Sequence, residues 1–369
     1  MPTFVRFDLF AVNIPLKAPF VTSLGALTSV ENVMVRAVTD EGIVGWGESD
    51  PFWSINGETQ GTCLVVGQHI ARALVGIDLT AVEELHARMD RLIFGNNSIK
   101  CAFDIAWHDA AAQAAGLPLW RFLGAEHNRP LRTDYTVSLG EPGRMAADAL
   151  EIVRAGYEVI KVKLGTDPLT DIERVLAIRE AIGQGKPLRI DANQGWTPDG
   201  AIQVLNALAE AGIQHCEEPL PRWQFMELRR VKEASPIPIM ADESCCDHHD
   251  AARLIQLGAC QRFNIKLGKS GGLHKARRII ELAEAAGMEV QVGGFLGSRL
   301  SWTAAAQLAL TSSAVAYCDM DTPLMFTRDP VQGGLQYAHG GHIHVPDTPG
   351  LGAALLPDEC SMPVHTIVA

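Results

Sequence analysis

Five charged residues close short apolar runs at nearly constant spacing: Lys163 is followed by Asp191 after 28 residues, Glu217 after 26, Asp242 after 25 and Lys266 after 24. Each step has the length of one strand, one helix and two loops, so the repeated position is a strand end in a β/α repeat. Strand patterns near 133–138, 158–164, 187–191, 213–217, 237–242, 261–266, 289–293 and 315–319 supply eight strands, enough to close a barrel. Helical patterns lie between them. Thr197-Pro198-Asp199 reads as an N-cap followed by proline, and Leu273, Ala276, Ile280 and Ala283 form an apolar stripe. Polar residues end successive strands around the whole array, which favours a closed parallel barrel. An open doubly wound sheet would gather them at one switch point.

The first third of the chain follows a different pattern. Residues 3–14, 31–39 and 43–49 alternate apolar and polar side chains, predicting a three-stranded meander, and helical stretches follow near 59–75, 80–93 and 97–116. In the last stretch Ile99, Ala102, Phe103, Ile105, Ala106 and Ala110 recur on a 3.6-residue period. The expected organisation is an α+β capping domain over 1–125, a barrel over 126–325, and a Gly-rich tail over 326–369 that returns to the cap. Two cap segments, near 15–30 and 50–58, read as lid loops; the second sets Phe52 and Trp53 among turn formers.

A net charge of −12, with 31 basic against 43 acidic residues, argues against a nucleic-acid partner, and no apolar run approaches a membrane span. The N-terminus runs straight into a strand pattern without the zones of a signal peptide, so the cytoplasm is the expected location. Eight cysteines without metal-binding spacing, among them the adjacent Cys245 and Cys246, read as buried free thiols.

In a barrel the carboxylates of Asp191, Glu217 and Asp242 converge at the C-terminal mouth. Three hard oxygen donors suit one Mg²⁺, whose charge would also relieve their repulsion. Lys161 and Lys163 lie two apart and so share the inward face of one strand. A neighbouring cation and desolvation would both lower the proton affinity of Lys163 from its ordinary range toward that of a usable base. Lys266 closes a strand on the far side, facing Lys163 across the carboxylates. Two bases on opposite faces of a bound carboxylate substrate can remove an α-hydrogen on one side and return it on the other. The enediolate between these steps would need stabilisation by Mg²⁺ and by Lys161. The chemistry expected is proton abstraction α to a carboxylate.

Over essentially its whole length the chain resembles the enolase superfamily, muconate lactonizing enzyme subgroup. The motifs Lys161-Val162-Lys163, Asp191-Ala192-Asn193, Glu217-Glu218-Pro219, Asp242-Glu243-Ser244 and Lys266 carry the resemblance. It implies a modified TIM barrel, (β/α)7β, with an α+β cap; the first Glu of Glu217-Glu218 as the metal ligand; and Asn193 and Glu243 as supporting partners. Asp319-Met320-Asp321 looks like the Asp-X-Asp motif of dipeptide epimerases, whose carboxylates hold the substrate's terminal ammonium. Members acting on Ala-Glu carry an Arg in the first lid loop; Ser23-Leu24-Gly25-Ala26 has none. Leu24, Phe52 and Trp53 would give a more apolar enclosure, with Phe295 after the seventh strand on another wall.

The expected activity is therefore epimerisation of dipeptides at the C-terminal α-carbon, with one Mg²⁺ per site and a homo-oligomeric enzyme, the common state of soluble enzymes. The alternatives within the subgroup are N-acylamino acid racemisation, cycloisomerisation, or a proline-type epimerase or dehydratase. A sugar-acid dehydratase would ordinarily show a His base near the seventh strand, and Val290-Gln291-Val292-Gly293-Gly294 has none. A silent binding barrel would have no need of both lysines and all three acids.

Overall fold

The computed structural model describes residues 1–360 and 362–369. The N-terminal alternation forms an antiparallel sheet in which Phe4–Thr22 pairs with Gly25–Thr39 and that with Val44–Ser49; His365–Val368 joins the other edge of the first strand. Residues 15–30, expected as a loop, are instead the outer half of this hairpin. Buried Val12, Ile14 and Leu16 alternate with exposed Asn13, Pro15 and Lys17, so the period-two pattern continues past the proline. The chain absorbs it in a register shift between Pro15 and Phe20.

Helices Gln60–Leu74 and Asn97–Ala114 pack on the sheet, and Val82–Leu92 packs against these two helices. The last lies so close to Val44–Ser49 that a Cβ on Gly45 would overlap the Ala106 carbonyl and one on Gly47 that of Ala102. Small residues on both sides allow backbone to meet backbone. The same helix is tied to the tail through Asp109, which accepts the Trp46 and Leu351 backbone N–H groups at 2.8 and 2.7 Å.

Eight parallel strands follow in unbroken neighbour order: Tyr135–Val137, Ile160–Lys163, Leu188–Asp191, Ile213–Glu217, Ile239–Ala241, Arg262–Lys266, Glu289–Gly293 and Val315–Cys318. The first and eighth meet where the Asp134 N–H donates to the Cys318 carbonyl at 3.4 Å. Arg189 reinforces this seam, donating to the Asp134 carboxylate at 2.7 Å and to the same carbonyl at 2.9 Å. Seven main helices connect the strands, from Pro142–Arg154 to Arg299–Ala309; Thr197 caps the one beginning at Pro198, as the sequence suggests, and Asp167 likewise caps a helix whose first residue is proline. The eighth strand leads into a short 3₁₀ turn, Thr322–Met325, in place of a helix. The molecule has the (β/α)7β barrel with an α+β cap that the resemblance implied.

Candidate active site

Strand register brings the charged ladder together. Lys163 lies opposite Asp191, and Asp191 opposite Glu217, on adjacent strands. Asp242 follows the fifth strand by one residue and Lys266 ends the sixth. Lys163 and Lys266 are thus four strands apart in an eight-stranded barrel, diametrically placed, with the three carboxylates on the arc between them.

Each carboxylate is held by lysine. Lys163 Nζ donates to Asp191 Oδ2 at 2.6 Å, and Lys266 Nζ lies 2.5 Å from Asp242 Oδ2. Lys161 Nζ donates to Glu217 Oε2 at 2.9 Å and to Asp319 Oδ2 at 2.6 Å. Burial opposes the charge of Asp191, yet Lys163, Lys161 and Lys266 outweigh it and hold the carboxyl well below its usual range. Asp242 is depressed in the same way, burial being overcome by Lys266 and Lys269. Glu217 goes the other way: burial and then the Asp191 charge push it up to about 8. For Lys161, burial is outweighed by Asp319, Glu217 and Asp191, so its ammonium persists far into the alkaline range. Lys266 is likewise raised, with Asp242 and Glu217 overcoming burial.

Above these groups lies a cavity walled by both domains. Lys161, Lys163, Lys266, Asn193, Asp319 and Asp321 supply its polar lining, and Phe20, Leu24, Phe52, Ile55 and Phe295 its apolar lining. Lys163 Nζ stands 5.8 Å from the Phe20 ring centre and Lys266 Nζ 5.2 Å from that of Phe295. Asp321 accepts the Thr136 N–H at 2.7 Å, and burial with the Asp319 charge pushes its carboxyl up to about 7. Asp319 is engaged with Lys161, so in this state Asp321 is the less committed of the two.

Trp53 is not part of this wall. It is 67% exposed and lines the outer grooves between hairpin and loop. Residues 53–56 form a single helical turn, which points Phe52 and Ile55 inward and carries Trp53 round to solvent. The other lid element, the hairpin tip, is fastened by Ser23 Oγ, within 3.2 Å of the Ala192 carbonyl oxygen and 2.9 Å of that of Asn193.

Asn193 and Glu243 do meet, at 3.4 Å between Nδ2 and Oε1. Other participants were not assigned to the site from the sequence, although alternation along its strand puts Asn264 on the same side as Lys266. Lys269, 1% exposed, donates to Asp242 Oδ1 at 2.6 Å, to the Asn264 carbonyl at 2.9 Å and to the Asp242 carbonyl. Its only sequence signal is a second lysine three residues after Lys266. Asn264 and Gln291 donate to the two Glu217 oxygens at 2.9 and 3.1 Å. Glu218 accepts the Asp242 N–H at 2.6 Å and the Ser244 hydroxyl, and burial pushes it up to about 7. Three of the four non-glycine residues with positive φ among those described, Asn193, Gln194 and Glu218, lie within three residues after Asp191 or Glu217, so backbone strain is concentrated at the barrel mouth.

Among the described residues no three His, Cys, Asp or Glu side chains already surround one point at metal-binding distance; lysines occupy the carboxylates instead. The donor chemistry nevertheless fits a hard divalent cation. Three carboxylates close neighbouring strands, and burial together with the Asp191 charge opposes the ionisation of Glu217, an opposition that a bound cation would offset.

Residues 5–124 match the mandelate racemase / muconate lactonizing enzyme N-terminal domain, and residues 144–359 the enolase C-terminal domain-like family. A D-Ala-D/L-Ala epimerase of Cytophaga hutchinsonii is 51% identical over 356 residues, covering 96% of this chain and 97% of the relative. The structure of a dipeptide epimerase from that species, complexed with Mg and D-Ala-L-Val, superposes with a TM-score of 0.97 at 50% identity over 99% of each chain. A dipeptide epimerase from Enterococcus faecalis, complexed with Mg and L-Leu-L-Tyr, does so with a TM-score of 0.93 at 36% identity, over 95% of this chain and 99% of that one. With both halves matched and such relatives spanning nearly its full length, the chain belongs to the mandelate racemase and muconate lactonizing enzyme family of the enolase superfamily, and it is an isomerase of the racemase and epimerase class.

Proposed function

We propose that the chain is a Mg²⁺-dependent dipeptide epimerase that inverts the α-carbon of the C-terminal residue. The observation that carries this reading is the placement of Lys163 and Lys266 across one cavity, with Asp191, Glu217 and Asp242 on the arc between them. These three carboxylates would hold the ion, which when bound supplies a Lewis acid for the substrate carboxylate. One lysine, as the free amine, takes the α-hydrogen as a proton and leaves the electron pair on the substrate. The other, as the ammonium, gives a proton to the opposite face. Lys161, kept charged by its carboxylate neighbours, stabilises the negative charge that develops between the two steps. Asp321 and Asp319 bind the terminal ammonium. The lid residues Leu24 and Phe52 and the barrel residue Phe295 enclose the side chain and exclude water.

The apolar lining also bears on substrate choice. The cations lining the cavity are Lys161, Lys163 and Lys266, all assigned to the reaction, so none is left for an acidic substrate side chain. Dipeptides with aliphatic C-terminal residues, such as L-Ala-L-Val and L-Ala-L-Leu, should be turned over better than L-Ala-L-Glu. The complex of the Cytophaga relative with D-Ala-L-Val is in keeping with this. Incubation of a dipeptide library with Mg²⁺ in deuterated water, read by mass spectrometry, is expected to add one deuterium to the apolar members. Absence of deuterium in every dipeptide would refute the reading.

A further inference from the structure

The last strand of the capping meander ends at Ser49, and the next residue, Asp50, is a carboxylate 3% exposed that the mechanism above leaves unused. Its Oδ1 has no hydrogen-bond partner among the described residues, a costly state for a buried carboxyl. Two barrel glycines make room for it. A Cβ on Gly268, two residues after Lys266, would collide with Oδ1, and one on Gly297 would come within 3.0 Å of Oδ2. The carboxyl is therefore wedged from the cap against the chain just behind Lys266. Burial, then the charges of Glu48 and Glu58, oppose its ionisation, and Lys266 favours it. Phe295 completes the cluster: its ring lies 3.4 Å from the Cβ position of Gly268 and packs on Phe52 with ring centres 5.6 Å apart. Lys163 has different surroundings, the Asp191 carboxylate and the Phe20 ring.

We propose that Asp50 is a positioning residue for Lys266: seated between Gly268 and Gly297, it fixes where that amine stands relative to the substrate α-carbon, and so controls proton transfer on one face only. The inference rests on the two-lysine reading above. On the Lys163 face the proton leaves carbon for that amine; on the Lys266 face the ammonium returns a proton and the new C–H bond forms. If Lys266 is misplaced, the first transfer survives and the second falters, so the proton, or a solvent deuteron that has replaced it on Lys163, goes back to the face it left.

The test follows each epimer of L-Ala-Val separately in deuterated buffer with Mg²⁺, using Asp50→Asn and Gly268→Ala. The second variant keeps the carboxyl but displaces it, and covers the case in which the first folds poorly. For the epimer whose α-hydrogen faces Lys163, deuterium in recovered substrate relative to deuterium in product is expected to rise on the order of 10-fold or more, since misplacing a reacting group by about 1 Å costs on the order of 100-fold. For the opposite epimer, exchange and inversion should fall together. Equal loss for both epimers, as from a merely structural defect, or unchanged ratios in both variants would overturn the proposal. Failure of the unmodified enzyme to exchange any deuterium would remove the two-lysine reading, and this inference with it.

Discussion

Asp321 shows how burial sets the working range of a single group. A carboxyl that burial and a charged neighbour push up to about 7 is largely neutral in mild acid, where an ordinary aspartate is ionised. If it grips the substrate ammonium, affinity is present above that value and lost as pH falls through it. KM for an apolar dipeptide should therefore rise about tenfold per pH unit below 7, as expected for a single titrating acid. Asp321→Asn should raise KM at pH 8 and flatten this acid limb; KM measured from about pH 5.5 to 8 tests both points. A racemase of N-acylated substrates, which carry no free amine, would be indifferent to the change. The sequence exposed Asp191, Glu217 and Asp242 because each closes an apolar strand, where a charged residue has few structural reasons to be. It hid Lys269, whose inward pose depends on the four-residue helix Leu267–Ser270 turning it beneath Asp242. It also misassigned Trp53, because the rotation of one helical turn decides which of two adjacent aromatics faces in.

At the scale of elements, the contact between strand Val44–Ser49 and helix Asn97–Ala114 is the most sharply specified in the cap. Gly45 and Gly47 face Ala106 and Ala102, leaving no space for even a methyl group between backbones. Gly47→Ala should destabilise the protein by about 3 kcal/mol or more, at the upper end of overpacking costs because backbone cannot yield as a side chain can; urea unfolding of the two proteins measures it. The helix period in Ala102, Ala106 and Ala110 was plain in the sequence, but the surface it packs against was not. The outer hairpin escaped for a related reason. Pro15 looks like the end of a strand unless the burial of Ile14 and Leu16 on either side of it is known.

The whole molecule encloses an unusual density of buried charge at its barrel mouth, four lysines among the carboxylates of Asp191, Glu217, Glu218, Asp242, Glu243, Asp319 and Asp321. A divalent ion that binds this cluster when folded, and not the open chain, must stabilise the fold. At a concentration 100 times its Kd the gain is about 2.7 kcal/mol. Mg²⁺ should thus raise the melting temperature by several degrees, EDTA should reverse the shift, and Asp191→Asn should abolish most of it, all measurable by calorimetry without substrate. The fold class could be read from the spacing of strand ends alone, whereas the joint wall of the cavity could not, since it arises only where hairpin, lid turn and barrel come together. Beyond Val21, the hydrogen bonds that tie the tip of that hairpin to the barrel run, among the described residues, through the one hydroxyl of Ser23, alongside the apolar contacts of Leu24 and Leu27. A hydrogen bond of this kind contributes about 1 kcal/mol net. So few polar ties make this tip the part of the cavity wall that would give way at least cost in hydrogen bonds, and hence the side from which a small peptide would enter.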